Sequence, residues 1–467
     1  MPSRFHSVYL IEEKCRGCTN CIKRCPTEAI RVREGKARIN ADRCTDCGEC
    51  VRTCDNHAKA TITDNLDSIR GFKYSIAMPA PSFYSQFYEI GKDKDHIPEK
   101  ILGALLRMGF DDVFDVARAA DIMSYVTRVY VKEHPGGRPF ISPACPAVVR
   151  LIQVRFPSLL DRIVPVDAPA RAAGKLARKK AVAELHLAPE DVGTFFITPC
   201  PAKMTWVRDL LSIGINDISG AIAASAIYSE IKRNSDYMNN PGIQYTSASS
   251  FGLGWGSSGG ENRAVALKNS LVVDGIHNVI AVLEEMELGK LDRLDFIEAQ
   301  ACVGGCVGGA LMVRNPFLGR VALEQLASSV GRKDDRPYGG DETKDNGGYL
   351  HDDYFPLPET VGREIHELYR QGYFNGAPLV PQPAFKLDED LARAIAKMER
   401  MEQVLESLPG LDCGSCGSPN CRALAEDIVQ GLAVETDCVF KLREQIKALA
   451  EELFHLAQKD PSAIGKK

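Results

Sequence analysis

The sequence predicts a small α+β domain over residues 1–72, an α/β core over residues 73–375 and a small α-helical domain over residues 376–467. Three observations support this division. Cysteines are concentrated at the two ends of the chain, β-like runs alternate with helical stretches through the middle, and helical periodicity returns towards the C-terminus. A chain of 467 residues, 45% of them hydrophobic and 25% charged, is long and apolar enough for three folded domains.

The composition excludes several classes of function. A net charge of −5 argues against a nucleic-acid binder, because phosphate contacts need a basic surface. No run approaches the roughly 18 apolar residues of a membrane helix, so no membrane association is expected. The N-terminus has neither an apolar segment nor a twin-arginine pair, and we therefore expect a cytoplasmic protein. In that compartment the 16 clustered cysteines indicate metal ligands rather than disulfides.

The first eight cysteines form two runs with the same spacing, C-x2-C-x2-C-x3-C. This spacing resembles that of bacterial two-cluster ferredoxins, in which the fourth cysteine of each run binds the cluster of the other run. The resemblance implies a ferredoxin-like fold with two 4Fe-4S clusters that transfer electrons; structural zinc is the alternative. Ferredoxin site I would comprise Cys15, Cys18, Cys21 and Cys54, and ferredoxin site II would comprise Cys44, Cys47, Cys50 and Cys25.

In the α/β core, four β-like runs (YSIAM, RPFI, TFFI and LDFI) end in segments rich in proline or glycine, and cysteine follows three of them. Ligands of open α/β sheets lie beyond the carboxyl ends of the strands, so we expect four thiolates to converge on one buried metal cluster. A single buried cysteine is more often only a small apolar side chain, but four at equivalent strand ends favour a metal site. These core cysteines are Cys145, Cys200, Cys302 and Cys306.

The motifs SPACP, PCPAK and EAQACVGGCVGGA resemble, in this order, the three signature motifs of iron-only (FeFe) hydrogenases. The resemblance implies a hydrogenase core with an H-cluster, which consists of a 4Fe-4S cluster and a di-iron subsite with carbon monoxide, cyanide and a dithiolate bridge. The core cysteines would hold the 4Fe-4S part, and Cys306 would also bridge to the di-iron subsite. Lys203 would hydrogen-bond a cyanide ligand, since a cationic donor suits a fixed anion. Glu298 would be either a proton-relay carboxylate or a capping residue. Further residues that the resemblance places beside the cofactor are Ala80, Pro81, Ser82 and Ser257.

Three positions depart from the family pattern. Ala144 stands where the family has a cysteine that shuttles protons, and a methyl group cannot carry a proton. Thr198 and Gln300 stand where methionines are usual, so two apolar side chains are replaced by hydrogen-bonding ones. These changes resemble those of sensory FeFe hydrogenases and imply slow, reversible H2 oxidation and proton reduction in H2 or redox sensing. The alternative is an electron-transfer or iron–sulfur assembly protein of the same fold that lacks the di-iron subsite.

A G-x-G-x-x-G segment from Gly254 to Gly259, followed by Asp274, also fits the dinucleotide-binding fingerprint. The residues before it, QYTSASSF, form a poor strand, and WGSSGGENRA is similar to a glycine-rich stretch of the hydrogenase family. NAD binding is therefore the weaker interpretation of this segment.

The C-terminal domain carries four cysteines with glycine and serine spacers: Cys413, Cys416, Cys421 and Cys438. They resemble an iron–sulfur module of anaerobic redox complexes and imply a further 4Fe-4S cluster; zinc is the alternative. The last helix has the spacing of a short coiled-coil seam, with Leu442, Ile446, Leu449, Leu453 and Leu456. Either homodimerisation or packing on the helix's own domain would explain it. The expected partners are H2, protons and, from the resemblance, a separate redox or signalling protein such as a kinase or phosphatase.

Overall fold

A computed structural model of the protein describes residues 5–89, 97–238, 248–334 and 359–458. The strands are β1 (Val8–Leu10), β2 (Ile30–Arg33), β3 (Lys36–Ile39), β4 (Lys59–Thr61), β5 (Tyr74–Pro79), β6 (Asp112–Val113), β7 (Phe140–Ile141), β8 (Val192–Thr198), β9 (Gly220–Ala223), β10 (Ser270–Asp274) and β11 (Phe296–Gln300). The helices are α1 (Asn20–Lys23), α2 (Glu49–Arg52), α3 (Pro81–Tyr84), α4 (Ile97–Arg107), α5 (Val116–Glu133), α6 (Pro146–Arg155), α7 (Pro169–Leu185), α8 (Pro201–Ser212), α9 (Ala224–Arg233), α10 (Ser250–Gly254), α11 (Gly260–Val265), α12 (Ile276–Glu287), α13 (Pro316–Asp334), α14 (Glu359–Arg370), α15 (Leu391–Ser407), α16 (Cys421–Val429) and α17 (Val439–Gln458). None of the described helices has the length and apolar character that crossing a membrane requires.

The described residues divide into two compact units. The core unit comprises those within 1–9, 45–48 and 61–382, and the cysteine-rich unit comprises those within 10–44, 49–60 and 383–467. Most of the N-terminal two-run segment therefore shares a unit with the C-terminal four-cysteine segment, although the α/β core lies between them in sequence.

Two parallel sheets lie in the core unit. One has the strand order β6-β5-β8-β9 and the other has the order β10-β11-β7, and every neighbouring pair is parallel. Parallel neighbours require crossovers, which the intervening helices supply. All seven residues of β8 are buried, as expected for a strand whose sheet is covered on both faces. The four β-like runs of the sequence form β5, β7, β8 and β11, two in each sheet.

Three of these strands lead into a helix through the same arrangement. Ala80, Cys145 and Cys200 each cap a helix in an extended backbone conformation, and proline follows each of them at the first helical position. Proline favours an extended residue before it and is well suited to begin a helix, so it defines both sides of the turn. The caps of α6 and α8 are therefore cysteines placed beyond the carboxyl ends of parallel strands.

The cysteine-rich unit contains the antiparallel β2–β3 hairpin. Its two-residue turn, Glu34-Gly35, has positive φ at both positions, which matches the twist of a tight hairpin. The C-terminal part is helical, and α15 and α16 pack through Met401, Val404 and Leu424. The predicted fold class is therefore confirmed: a ferredoxin-like N-terminal region, an α/β core with parallel sheets and a helical C-terminal region.

Candidate metal centre

The structure brings the four core cysteines together beyond the ends of both parallel sheets. Cys145 follows β7, Cys200 follows β8, and Cys302 and Cys306 follow β11. Burial raises the pKa of the Cys200 thiol to about 12; Lys203 lowers this pKa, and the neighbouring thiols of Cys302 and Cys145 raise it. Burial also raises the pKa of Cys306, whose thiol lies near the other three. Such buried thiols become thiolates when a metal or cation compensates their charge, so this group suits an iron–sulfur cluster.

Glycines shape the turn that carries Cys306. Gly304 and Gly305 have φ of +82° and +88°, a region that residues with side chains rarely adopt. A Cβ atom on Gly305 would lie 2.5 Å from the amide nitrogen of Ser258, and closer still to Oε1 of Gln300. The amide of Ser258 donates to the carbonyl of Gly304 at 3.0 Å. Close backbone packing thus holds this turn against the loop of Ser258.

Lys203 approaches the same thiols from α8. Its side chain is buried, and Nζ donates to the carbonyl oxygen of Ala144 at 2.9 Å. Its positive charge opposes the effect of burial on the pKa of Cys200 and of Cys306. An ammonium has three donors, so an anionic ligand beside the thiolates could accept another of its hydrogen bonds. The methyl group of Ala144 packs in an apolar cluster with Trp255, so this position has no side chain that can exchange a proton.

Several buried polar atoms in this region have no hydrogen-bond partner among the described residues. They include Oγ of Ser82, whose side chain is fully buried, and Oε1 of Gln300. The backbone joins them to the cysteine turn, because Gly256 packs on Ser82 and the carbonyl of Gly256 accepts from the amide of Val307 at 3.2 Å. A buried polar atom without a partner costs about 1–3 kcal/mol, and a bound polar group would remove that cost.

Other predicted cofactor contacts have partners within the protein. The Thr198 hydroxyl donates to the Cys200 carbonyl at 3.0 Å and accepts from the Cys200 amide at 3.2 Å, which stabilises the turn at that cysteine. Oγ of Ser257 donates to the carbonyl of Gly254 at 2.8 Å. Ala80 and Pro81, which are also predicted cofactor contacts, are buried where β5 leads into α3. These residues shape the loops around the cysteines, and their contact with a cofactor stays a prediction.

A pair of buried carboxyl groups lies at the start of α11. Glu298 accepts from the amides of Gly259 at 2.8 Å and Asn262 at 2.7 Å, which are the contacts that the capping interpretation expects. Glu261 accepts from Oγ of Ser142 at 2.6 Å. Burial raises the pKa of both carboxyl groups, and the charge of Glu298 raises the pKa of Glu261 further. The pair can therefore hold a proton near neutral pH.

Sequence motifs did not single out Glu261 and Ser142 as functional residues. Ser142 lies in the SPACP motif, and its Oγ also accepts from the amide of Ala144 at 3.2 Å. Glu261 follows a Gly-Gly pair with no informative spacing, and only the fold joins it to Ser142, 119 positions away. A carboxylate beside the glycine-rich stretch was the one available signal.

The G-x-G-x-x-G segment does not have the structure of a dinucleotide site. Gly254 ends α10 and Gly259 caps α11, so the segment begins within a helix instead of following a strand. The carboxylate of Asp274 accepts from the amide of Gly304 at 3.0 Å, in the turn beside the core cysteines. This segment therefore belongs to the candidate metal centre.

In the cysteine-rich unit, the thiols of ferredoxin site I lie close to one another. Burial raises the pKa of Cys21, Lys59 lowers it, and the thiols of Cys18, Cys15 and Cys54 raise it further. These are the four cysteines that the spacing of two-cluster ferredoxins assigns to one cluster.

The cysteines of ferredoxin site II are best characterised by their individual contacts. The amide of Ala29 donates to the thiol of Cys25 at 3.2 Å, and the amide of Ala58 donates to that of Cys54 at 3.3 Å, so the last cysteines of the two runs are in equivalent settings. Cys47 is buried in the core unit, in an apolar cluster against which two core cysteines pack, Cys145 and Cys200. Cys44 and Cys50 are half-buried. Their shared cluster stays a prediction.

The C-terminal cysteines lie around one end of α16. Cys438 is buried in an apolar cluster, and Cys416 and Cys421 pack against it. Cys413 is exposed, and hydrogen bonds from Ser415 lower the pKa of its thiol. Four cysteines with glycine and serine spacers, three of them packed in an apolar cluster, suit a soft metal centre.

Comparison with known proteins agrees with this geometry. Residues 73–208 and 219–310 match the family described as iron only hydrogenase large subunit, C-terminal domain. The α/β core therefore belongs to the iron-only hydrogenase large-subunit family. Within this hydrogenase-like protein, residues 7–55 match a 4Fe-4S dicluster domain. Residues 408–440 match a family whose description is an Fe-S cluster.

Its relatives include proteins named as iron hydrogenases. The chain is 26% identical over 397 residues to the periplasmic Fe hydrogenase large subunit of Nitratidesulfovibrio vulgaris, covering 73% of this chain and 92% of that protein. It is 24% identical over 312 residues to iron hydrogenase 1 of Clostridium pasteurianum, covering 55% of this chain and about half (54%) of that protein. A solved FeFe-hydrogenase HydA1 variant from Chlamydomonas reinhardtii superposes with a TM-score of 0.48 and 16% identity, covering 68% of this chain and 98% of that one.

Proposed function

We propose that this protein is a slow FeFe hydrogenase, which oxidises H2 and reduces protons reversibly and reports H2 or redox state. One observation carries the proposal. The core cysteines, the ammonium of Lys203 and two unpartnered polar atoms, on Ser82 and Gln300, lie in one region of the core unit. Membership of the family supports the reaction, and the departures in the three motifs support the slow rate.

The residues of this region fit the H-cluster. The buried core thiols can bind the 4Fe-4S part, and Cys306 lies in a glycine-rich turn that allows close approach to a second iron unit. Lys203 and the hydroxyl of Ser82 can donate hydrogen bonds to anionic cyanide. When bound, the di-iron subsite would supply the redox chemistry of H2 cleavage. The protein itself would hold the thiolates, exclude water and exchange the proton.

The proton needs a path that does not use Ala144. Oγ of Ser142 accepts from the amide of Ala144 and donates to Glu261, so a carboxyl group lies one hydrogen bond beyond that position. Burial and the charge of Glu298 raise the pKa of Glu261, so the pair can bind and release a proton near neutral pH. General acid–base groups contribute roughly 10²–10⁴-fold when they are well positioned, and a more distant group contributes less. This indirect path agrees with a low turnover.

Infrared spectroscopy after maturation with the di-iron cofactor tests the proposal. We expect bands of bound carbon monoxide and cyanide together with measurable but slow H2 oxidation. Missing bands in protein with a full complement of iron–sulfur clusters would favour the alternative, an electron-transfer or assembly protein without the di-iron subsite. A wild-type rate equal to that of iron hydrogenases with the motif cysteine would contradict the slow, sensory part.

The variant Ala144→Cys tests the proton path. It restores a thiol at the position of the missing shuttle, and we expect a rate increase towards the roughly 10²-fold that a positioned acid–base group supplies. Ala147→Cys is the matched control, because Ala147 is also a buried alanine of this segment but packs in the apolar core. Equal rates for the two variants would show that the thiol is not what limits turnover.

The last helix supports self-association as part of this function. Among the residues that the structure describes, its seam residues are between 43% and 65% exposed, which favours self-association over packing of this helix on its own domain. They are Leu442, Ile446, Leu449, Leu453 and Leu456. Apolar side chains at coiled-coil spacing are buried when two such helices pair, and we propose a homodimer. From the family resemblance we further propose a separate kinase or phosphatase as signalling partner. We also propose the cytoplasm as location.

A further inference from the structure

The C-terminal cysteine loop, residues 412–421, packs on the β2–β3 hairpin within the cysteine-rich unit. The amide of Val32 donates to the carbonyl of Gly417 at 2.7 Å, and Nη1 of Arg33 donates to the carbonyl of Cys416 at 3.0 Å. Gly417 has φ of +80°, and a Cβ atom there would lie 2.9 Å from the carbonyl carbon of Val32. The loop and the hairpin are therefore in direct backbone contact.

An ion-pair network holds this contact in place. Arg33 pairs with Asp427 at 2.6 Å, and Arg31 pairs with the same carboxylate at 2.7 Å. Ser418, in the cysteine loop, also donates to Asp427 at 3.1 Å. Asp427 is buried and has three partners, so the network is specific to this packing.

The hairpin connects the loop to ferredoxin site I. Val32 lies opposite Ala37 in the antiparallel pair, and the backbone of Ala37 hydrogen-bonds the thiol of Cys15. Gly417 and Cys15 are thus separated by the width of one pair of strands.

A second contact leads to the same site. Nζ of Lys23 donates to the carbonyl of Pro419 at 3.0 Å and also to that of Asp412. A Cβ atom on Gly414 would lie 3.6 Å from Cδ1 of Ile22, the residue that follows Cys21 of site I. Both ends of the cysteine loop therefore touch segments that carry site I ligands.

We propose that the C-terminal four-cysteine site exchanges electrons directly with ferredoxin site I, and so serves as an electron port of the protein. The inference rests on the proposed assignment of 4Fe-4S clusters to both sites. Each event moves one electron: the cluster that gives it is oxidised by one electron, the cluster that takes it is reduced by one, and no proton moves and no bond breaks. Contact between the ligand loops keeps the two clusters close, and electron transfer needs such proximity.

Electron paramagnetic resonance of the full-length holoprotein, reduced with dithionite, tests this proposal. In the wild type we expect the signal of the reduced C-terminal cluster to relax faster than that of an isolated cluster, because a second reduced cluster lies close to it. Gly417→Ala should lose this enhancement, since the added methyl group pushes the loop away from Val32. Gly431→Ala is the matched control, because Gly431 has a similar φ of +73° and a Cβ atom there would have no neighbour within 4 Å. It should relax as the wild type does.

Metal analysis separates the two levels of the hypothesis. Zinc, or no metal, at the C-terminal cysteines of the wild type would overturn the cluster assignment and the relay with it. Iron at full content with equal relaxation in the wild type and in Gly417→Ala would overturn the relay alone. If Gly417→Ala fails to retain iron, Arg33→Ala decides, with the exposed hairpin residue Arg38→Ala as its control. Loss of the enhancement in Arg33→Ala only would support the relay, and equal relaxation in both would overturn it.

Discussion

Replacement of Gly305 by alanine should damage the metal centre far more than the same change at its neighbour Gly304. At Gly305 the backbone has φ of +88° and ψ of −154°, a region that essentially only glycine adopts, and strain there costs about 1–3 kcal/mol. The new Cβ would also lie 2.5 Å from the amide nitrogen of Ser258, and overpacking of this kind costs about 1–3 kcal/mol. We expect Gly305→Ala to lose about 2–6 kcal/mol of unfolding free energy in total.

Gly304→Ala supplies the matched control. Gly304 has nearly the same φ, +82°, but the nearest atom to its Cβ position would be 3.7 Å away, which is ordinary van der Waals contact. Its cost is therefore limited to the backbone, about 1–2 kcal/mol. The difference between the variants isolates the contact between the Cys306 turn and the loop of Ser258.

Thermal unfolding followed by circular dichroism, with iron content measured in parallel, is the assay. In a domain of this size each kcal/mol shifts the midpoint by about 2–4 °C, so Gly305→Ala should unfold several degrees below Gly304→Ala. It should also release iron at a lower temperature. Equal midpoints in the two variants would refute the reasoning, because they would show that the turn and the loop are not in close contact.

Three further predictions concern the proton path and the last helix. Glu261→Gln keeps the shape of the side chain but removes its titratable proton, so H2 oxidation should fall by less than the roughly 10²-fold that a well-positioned acid–base group supplies, whereas the exposed control Glu285→Gln should leave the rate unchanged. Burial raises the pKa of Glu261, so the native state keeps a proton that the unfolded state has already released, and the unfolding free energy should decrease as pH rises through neutral. Denaturant titrations should show a smaller decrease in Glu261→Gln, and an identical pH dependence would contradict the assignment. Truncation after Phe440 should convert a dimer into a monomer in sedimentation experiments, and an unchanged mass would exclude the helix as the interface.

The parts of the fold that local chemistry determines could be predicted from the sequence. Apolar runs that end in proline or glycine mark β5, β7, β8 and β11, and the cysteines after them become neighbours because the carboxyl ends of strands from both sheets meet at the candidate metal centre. The spacing of the N-terminal runs likewise assigns Cys15 and Cys54 to one site, and the structure places them close together.

The parts that depend on distant pairings could not be predicted. Arg33 and Cys416 are 383 positions apart, and the sequence around neither residue indicates the contact. The same holds for Ser142 and Glu261, which meet only because the fold brings the segment after β7 to the start of α11. The division of the strands between two sheets also has no local signature, because the pairing of parallel strands is decided by the whole core.

The cysteine caps of α6 and α8 have a consequence for how this protein matures. In both turns the proline that follows the cysteine sets the backbone, and the strand before it is paired within its own sheet. The thiols are therefore not what folds these segments, in contrast to a zinc finger, whose structure depends on its metal. The core unit should therefore be able to fold without iron, so that the amount of active protein in a cell follows the supply of assembled cofactor and not the rate of translation.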